Sequence, residues 1–278
     1  EEQHQELILT DIKYTFSCNP LLPAYAPPAP APAYRPAPLR WIAYPGGVVS
    51  IGHDGRGFAF DNETPRHKVL LVPYRLASRP VTCGEYLAFI EDSGYSRPEL
   101  WLSDGWATVR AQGWTAPLYW FKEEDGWRVF TLNGAQALDP DEPVAHVSLY
   151  EAAAYAEWAG KRLPTEFEWE AAASAGQLTG QFLDPARPHP LPAPASEGLS
   201  QIYGGVWEWT RSSYDPYPGF RPLAGAAAEY NGKFMVGQIV LRGGSCVTPA
   251  GHMRPSYRNF FPPAARWQFS GIRLAEDL

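Results

Sequence analysis

Eight prolines fall within the 22 positions from 19 to 40, between Pro20 and Pro38. Proline lacks an amide donor and clashes with a preceding helical turn, so this stretch is neither helix nor inner strand. It is expected to run extended and to connect two parts of the chain, residues 1–18 and residues 41–278. A second dense run, five prolines in the ten positions 185–194, reads as a surface loop. With 25 glycines, 29 prolines, 11 tryptophans and 15 tyrosines in 278 residues, the fold is expected to be loop-rich and held by large aromatic anchors.

Residues 1–18 read as a helix. Leu7, Ile8, Ile12 and Phe16 recur at helical spacing behind Glu1-Glu2-Gln3-His4-Gln5-Glu6. No capping residue precedes them, so the helix is expected to begin upstream of residue 1. Three further helices are marked by a Ser or Thr followed three residues later by Glu, where each side chain satisfies a backbone amide of the other. Thr82 with Glu85 opens a helix ending before Gly94. Ser148 with Glu151 opens one ending before Gly160, and Thr165 with Glu168 one ending near Gly176. Val69–Val72, Trp127–Leu132, Ile239–Arg242 and Phe269–Leu274 read as short strands. No fixed period repeats. The expected class is α+β, with short strands and much irregular structure.

The net charge of −7 and the lack of a Lys/Arg cluster argue against a nucleic-acid partner, which needs a basic footprint. No apolar run approaches the roughly 20 residues that span a bilayer, so no membrane role is expected. Cys18, Cys83 and Cys246 are far apart and odd in number. That pattern fits a reducing cytoplasm rather than a secreted disulfide framework.

Four runs carry groups capable of chemistry. His4, after Gln3, offers an imidazole of the kind that binds iron, zinc or copper, although a lone histidine is more often a surface or core residue. The position four residues earlier, which would pair with it on one helical face, lies outside the chain. Trp207-Glu208-Trp209-Thr210 reads first as an aromatic core with a buried structural carboxylate. Arg242-Gly243-Gly244-Ser245-Cys246 places a thiol beside two glycines, and nothing adjacent would lower its pKa. Arg254-Pro255-Ser256-Tyr257-Arg258-Asn259-Phe260-Phe261 suits a polar, cationic small molecule, or else a strand of structural ion pairs.

Taken together, several runs resemble the domain shared by formylglycine-generating enzymes and sulfoxide synthases. They are Phe60 to His67, Pro80-Val81-Thr82, Arg162 to Glu170, Val206 to Thr210, Arg242 to Ser245 and Gly271-Ile272-Arg273, in family order from about residue 41 to 278. The resemblance implies a C-type-lectin-like α+β domain of the formylglycine-generating-enzyme type. Within it, Glu1 to Leu7 looks like the end of the His-x-x-Gln-His-Gln-Glu motif of EgtB-type enzymes, the sulfoxide synthases of ergothioneine biosynthesis. That motif lies on a helix of an N-terminal DinB-like four-helix domain, of which residues 1–18 would be the last part, 19–40 the linker and 41–278 the catalytic-type domain. Trp101 to Trp106 with Pro117 to Trp120, and Tyr217-Pro218-Gly219-Phe220, are also similar to that branch. Formylglycine-generating enzymes carry a cysteine pair near the Gly-Gly-Ser run. Only Cys246 stands here, which speaks against copper-dithiolate chemistry.

The resemblance implies an iron(II)- and O2-dependent sulfoxide synthase. It would join cysteine to C2 of the imidazole of hercynine, the trimethylated histidine. His4 matches the last of three iron-binding histidines, the other two preceding residue 1. Gln3 and Asn259 match residues that contact hercynine, and Phe260 lines that pocket. Phe261 departs from the mycobacterial-type pattern, in which an aspartate binds the amine of γ-glutamylcysteine, and so implies free cysteine as sulfur donor. Tyr217 and Tyr230 are candidates for the proton donor. Three alternatives stand beside this reading: a selenoneine synthase, a histidine–cysteine sulfoxide synthase of the same family, and a lectin-like binding module without chemistry.

Overall fold

A computed structural model of the chain describes residues 1–27, 35–225 and 231–278. The first helix, α1, spans Glu2–Ser17. Strands β1 (Trp41–Tyr44), β2 (Gly47–Ile51), β3 (His67–Leu71) and β4 (Tyr74–Ala77) follow. Helices α2 (Cys83–Glu91) and α3 (Ser103–Gln112) precede a meander of β5 (Trp120–Glu123), β6 (Gly126–Thr131) and β7 (Gly134–Ala137). Helices α4 (Leu149–Trp158) and α5 (Glu166–Ala173) lead to β8 (Gly180–Gln181) and β9 (Tyr203–Gly204). The chain closes with β10 (Trp207–Ser213), β11 (Ile239–Arg242), β12 (Asn259–Phe261), β13 (Ser270–Gly271) and β14 (Ala275–Asp277). The α+β expectation holds.

All three capping boxes form. The hydroxyls of Thr82, Ser148 and Thr165 accept from the amides of Glu85, Glu151 and Glu168, and each glutamate returns to the amide of its cap. Helix α3 has no such box, because Leu102 stands at its cap, and the sequence pattern does not mark it. Strand β11 has the expected bounds, while Val69–Val72 and Trp127–Leu132 overlap β3 and β6, starting two and one residues late and each ending one residue past the strand. The expected strand Phe269–Leu274 is strand only at Ser270–Gly271 (β13); β14 begins beyond it at Ala275, with a gap between them. In the gap the carbonyls of Ile272 and Leu274 accept from Val81 and Ala77, so this backbone joins the 77–81 segment outside any ladder.

The central sheet has the order β12-β11-β10-β13, with β10 parallel to β13 and the other pairs antiparallel. Glu208 on β10 is fully buried. Its carboxylate accepts from Arg273 Nε at 2.8 and 2.9 Å and from the Trp169 indole at 2.7 Å. The carboxylate between two tryptophans is thus structural, tying β10 to α5 and the C-terminal segment. After β11 the chain turns through Gly243 and Gly244, with φ of +100° and +83°. A Cβ on Gly243 would meet the Ile202 carbonyl at 2.7 Å, so glycine is required there.

Helix α1 packs onto this domain by an unexpected face. The apolar positions that mark it as a helix are not the ones it buries most: Ile8 is 56% exposed, while Glu6, Leu9, Thr10 and Lys13 are buried. Glu6 accepts from the Trp207 indole at 2.7 Å, Ser245 Oγ at 2.8 Å and Thr248 Oγ1 at 3.0 Å. Lys13 Nζ lies 2.8 Å from His146 Nε2, between the rings of Tyr119 and Phe269. Polar groups on the domain make this polar helix face the buried one.

Removing one partner of a buried ion pair costs about 3–5 kcal/mol. Glu208→Gln should lower the unfolding free energy by about that much in urea titration, and a loss under about 1 kcal/mol would contradict the structural role. Burial lowers the Lys13 ammonium to about 7 from its ordinary 10.5. Between those values the unfolded chain holds a proton that the folded chain does not, so stability rises with pH across the window. Lys13→Met should flatten that rise in denaturant titrations at stepped pH; an unchanged slope would contradict the assignment.

Candidate active site

Strand β12 is the edge of the central sheet, pairing Asn259, Phe260 and Phe261 with Leu241, Val240 and Ile239. The N-terminal turn of α1 lies near this edge, because Glu6 anchors the helix on Trp207 of β10. Between helix and edge lies a cavity of about 500 Å³. That is within the usual range for small-molecule sites. Gln3, Asn259, Phe260 and Phe261, four residues singled out in the sequence, all line it.

Six aromatic residues stand in the walls: Phe60, Trp207, Phe234, Tyr257, Phe260 and Phe261. Phe260 stacks on Tyr214 with ring centroids 4.0 Å apart and planes 9° apart. Phe261 meets Trp267 edge-on at 4.8 Å. Tyr257 OH accepts from Gln3 Nε2 at 2.7 Å, a direct bond between α1 and the domain across the cavity wall. Burial pushes the Tyr257 phenol up from its ordinary pKa, so it stays neutral at physiological pH. Asn259 Oδ1 accepts from the Phe260 amide, which leaves its N–H2 group as the donor end of the side chain.

The arginines of the 254–261 run are ion-paired. Arg258 is paired with Glu166 through two bonds of 2.9 Å, and its guanidinium lies over the rings of Tyr214 and Tyr217. Arg254 is paired with Glu63, whose Oε2 also accepts from Ser256. The two arginines of the 254–261 run are therefore structural ion pairs, and Tyr257, Asn259, Phe260 and Phe261 of the same run line the cavity. Glu6 has its pKa raised by burial, against three hydrogen bonds that lower it.

His4 does not line the cavity. Its side chain is 61% exposed and its Nδ1 lies 3.8 Å from Glu1, one position along the helix from Gln3. Among the described residues no group of three His, Cys, Asp or Glu could hold a metal ion. Tyr217 is also outside the lining. It is buried among ion pairs, donating to Glu166 at 3.4 Å and accepting from Arg242 at 3.3 Å, and burial pushes its phenol up. Tyr230 lies outside the described residues. Cys246 is fully buried beneath α1, and burial pushes its thiol up, which fits filler rather than a nucleophile.

Sequence reasoning did not single out Glu6, Tyr257, Asn62 or Gln268. A usable signal was present for Glu6, which stands three residues after Gln3 and so on the same helical face. For the others only the fold brings the segments together.

The chain matches the family described as the sulfatase-modifying factor enzyme 1-like domain over residues 28–193 and 185–278. It is 38% identical to the hercynine oxygenase of Mycolicibacterium smegmatis, over all of this chain and 70% of that protein. It is 31% identical to the formylglycine-generating enzyme of Streptomyces coelicolor, over 85% of this chain and 87% of that one. In fold it is similar to PvdO from Pseudomonas aeruginosa, with a TM-score of 0.57 and 19% identity over 88% of this chain and all of that one.

Deleting the Tyr217 hydroxyl removes two long hydrogen bonds and no cavity wall. Tyr217→Phe should lower stability by about 1 kcal/mol in urea titration. Turnover of the full-length protein should stay within about twofold of wild type, since the loss falls on folding and not on the transition state. A loss of turnover with intact stability would make this tyrosine a catalytic group.

Proposed function

Because the chain belongs to the sulfatase-modifying factor enzyme 1-like family, and its cavity is walled by aromatics and amides, we propose that it is part of a hercynine oxygenase. The reaction joins the sulfur of cysteine to imidazole C2 of hercynine and oxidises that sulfur to the sulfoxide. One C–H and one S–H bond are lost, one oxygen atom of O2 enters the sulfoxide and the other leaves as water. Both substrates must be held together for the bond to form, and orientation is the work this domain does.

The observation that carries the reading is the match between the cavity and the substrate's cation. A trimethylammonium group offers no hydrogen for a bond and is best held by aromatic faces, which Phe60, Trp207, Tyr257 and Phe260 supply. An unpaired carboxylate is not needed, and the ionisable groups of the wall, Glu6 and Arg258, are already engaged. Gln3 and Asn259 provide amides for the imidazole and carboxylate ends. None of the cavity-lining residues is a cysteine, which sets this site apart from a dithiolate one. Phe261, held against Trp267, gives no anchor for an extra amine, which supports cysteine over γ-glutamylcysteine.

Iron(II) would supply the activation of O2. One exposed imidazole does not hold iron, so His4 is proposed as a single ligand of a centre completed by groups outside residues 1–278. In the same reading α1 is the end of a helical domain and residues 19–40 are its connection to the domain that starts at Trp41.

Oxygen uptake by the full-length protein with iron(II), cysteine and hercynine tests this. Uptake should need all three and be abolished by His4→Ala. Asn259→Ala should raise the KM for hercynine about tenfold, the worth of one good hydrogen bond. No uptake, or uptake indifferent to His4→Ala, would contradict the proposal.

A further inference from the structure

Asn62 lies in the 3-10 turn Asp61–Glu63, is 2% exposed and lines the cavity. Its amide orientation is fixed by its neighbours. Nδ2 donates to Tyr214 OH at 2.8 Å and lies 3.4 Å from the Arg258 carbonyl. That carbonyl can only accept, so the nitrogen faces it and Oδ1 faces away. The turn itself is pinned, because the Asn62 carbonyl accepts from Arg258 Nη1 at 3.0 Å. Oδ1 is buried and has no hydrogen-bond partner among the described residues. Buried carbonyl oxygens are rarely left unmet, so an unmet one on a residue that lines a ligand cavity calls for a donor.

We infer that Asn62 is a specificity-determining residue whose Oδ1 accepts the ring N–H of the imidazole substrate. The inference rests on the hercynine reading and adds a residue to it. At neutral pH hercynine has one hydrogen-bond donor: its quaternary nitrogen bears no hydrogen and its carboxylate is ionised. The imidazole N–H is therefore the group able to satisfy Oδ1. This bond would fix which ring nitrogen carries the proton, leaving the lone pair of the other nitrogen on the opposite edge of the ring. Asn62 is tied to the aromatic wall, because Tyr214, to which it donates, is the ring on which Phe260 stacks.

The test is calorimetric titration of the full-length protein, wild type and Asn62→Ala, with hercynine and with its two ring-N-methyl analogues. Wild type should bind hercynine at least about tenfold more tightly than the analogue whose methyl replaces the bonded hydrogen. Asn62→Ala should weaken hercynine about tenfold and bring that ratio to within about threefold, whereas damage to folding alone would weaken all three ligands alike. Ring-15N hercynine bound to wild type should also show an N–H proton protected from exchange with water, a readout that needs no variant. Equal binding of hercynine and both analogues by wild type, a ratio that persists in Asn62→Ala, or a freely exchanging ring proton would overturn the inference. Hercynine binding would stand in each of those cases. If wild type binds none of the three ligands, the hercynine reading falls with it.

Discussion

The Glu6 carboxylate is the contact on which the site depends. It sits in the interior with hydrogen bonds from Trp207, Ser245 and Thr248, three donors from two segments of the domain. Taking a carboxylate out of water is costly, and those donors offset the cost only when α1 is in one position. That position sets Gln3 against Tyr257 and makes the helix one wall of the cavity. Without it, Asn259, Phe260 and Phe261 would form an open sheet edge.

A second constraint acts on charge. The domain buries several arginines, each with a carboxylate, Arg273 with Glu208 and Arg258 and Arg242 with Glu166, and it pairs the half-buried Arg254 with Glu63. These pairs fix the irregular segments that regular ladders cannot, a need that follows from a fold with such short strands. They also pair the arginine in the cavity wall, which leaves the aromatic faces and Glu6, met by three neutral donors, to set its preference for a cation. A quaternary ammonium fits such a place better than a primary ammonium, which would lose hydrogen bonds to water on entering.

The sequence showed some of this because the signals are local. Capping boxes need four consecutive residues, and those at Thr82, Ser148 and Thr165 all appear in the structure. The helix at Ser103 lacks that chemistry and was not legible. In α1 the helical period was legible but the buried face was not, because apolar spacing was the guide and polar partners from residues 207–248 decided the outcome. The same holds for the site. Gln3, Asn259, Phe260 and Phe261 entered through the family resemblance, and the cavity does bring them together. Tyr257 and Asn62 lie in runs the sequence did mark, 254–261 and 60–67, but their individual roles depend on a hydrogen bond to α1 and on an oxygen left without one, which no local pattern shows.

The central claim is that the space between α1 and the β12 edge receives the imidazole substrate. A crystal structure of the full-length protein with hercynine tests it most directly. The account predicts the trimethylammonium group against the aromatic wall that includes Phe260 and the imidazole between Gln3 and Asn259. Ordered hercynine elsewhere on the domain, with this cavity filled by solvent, would contradict it.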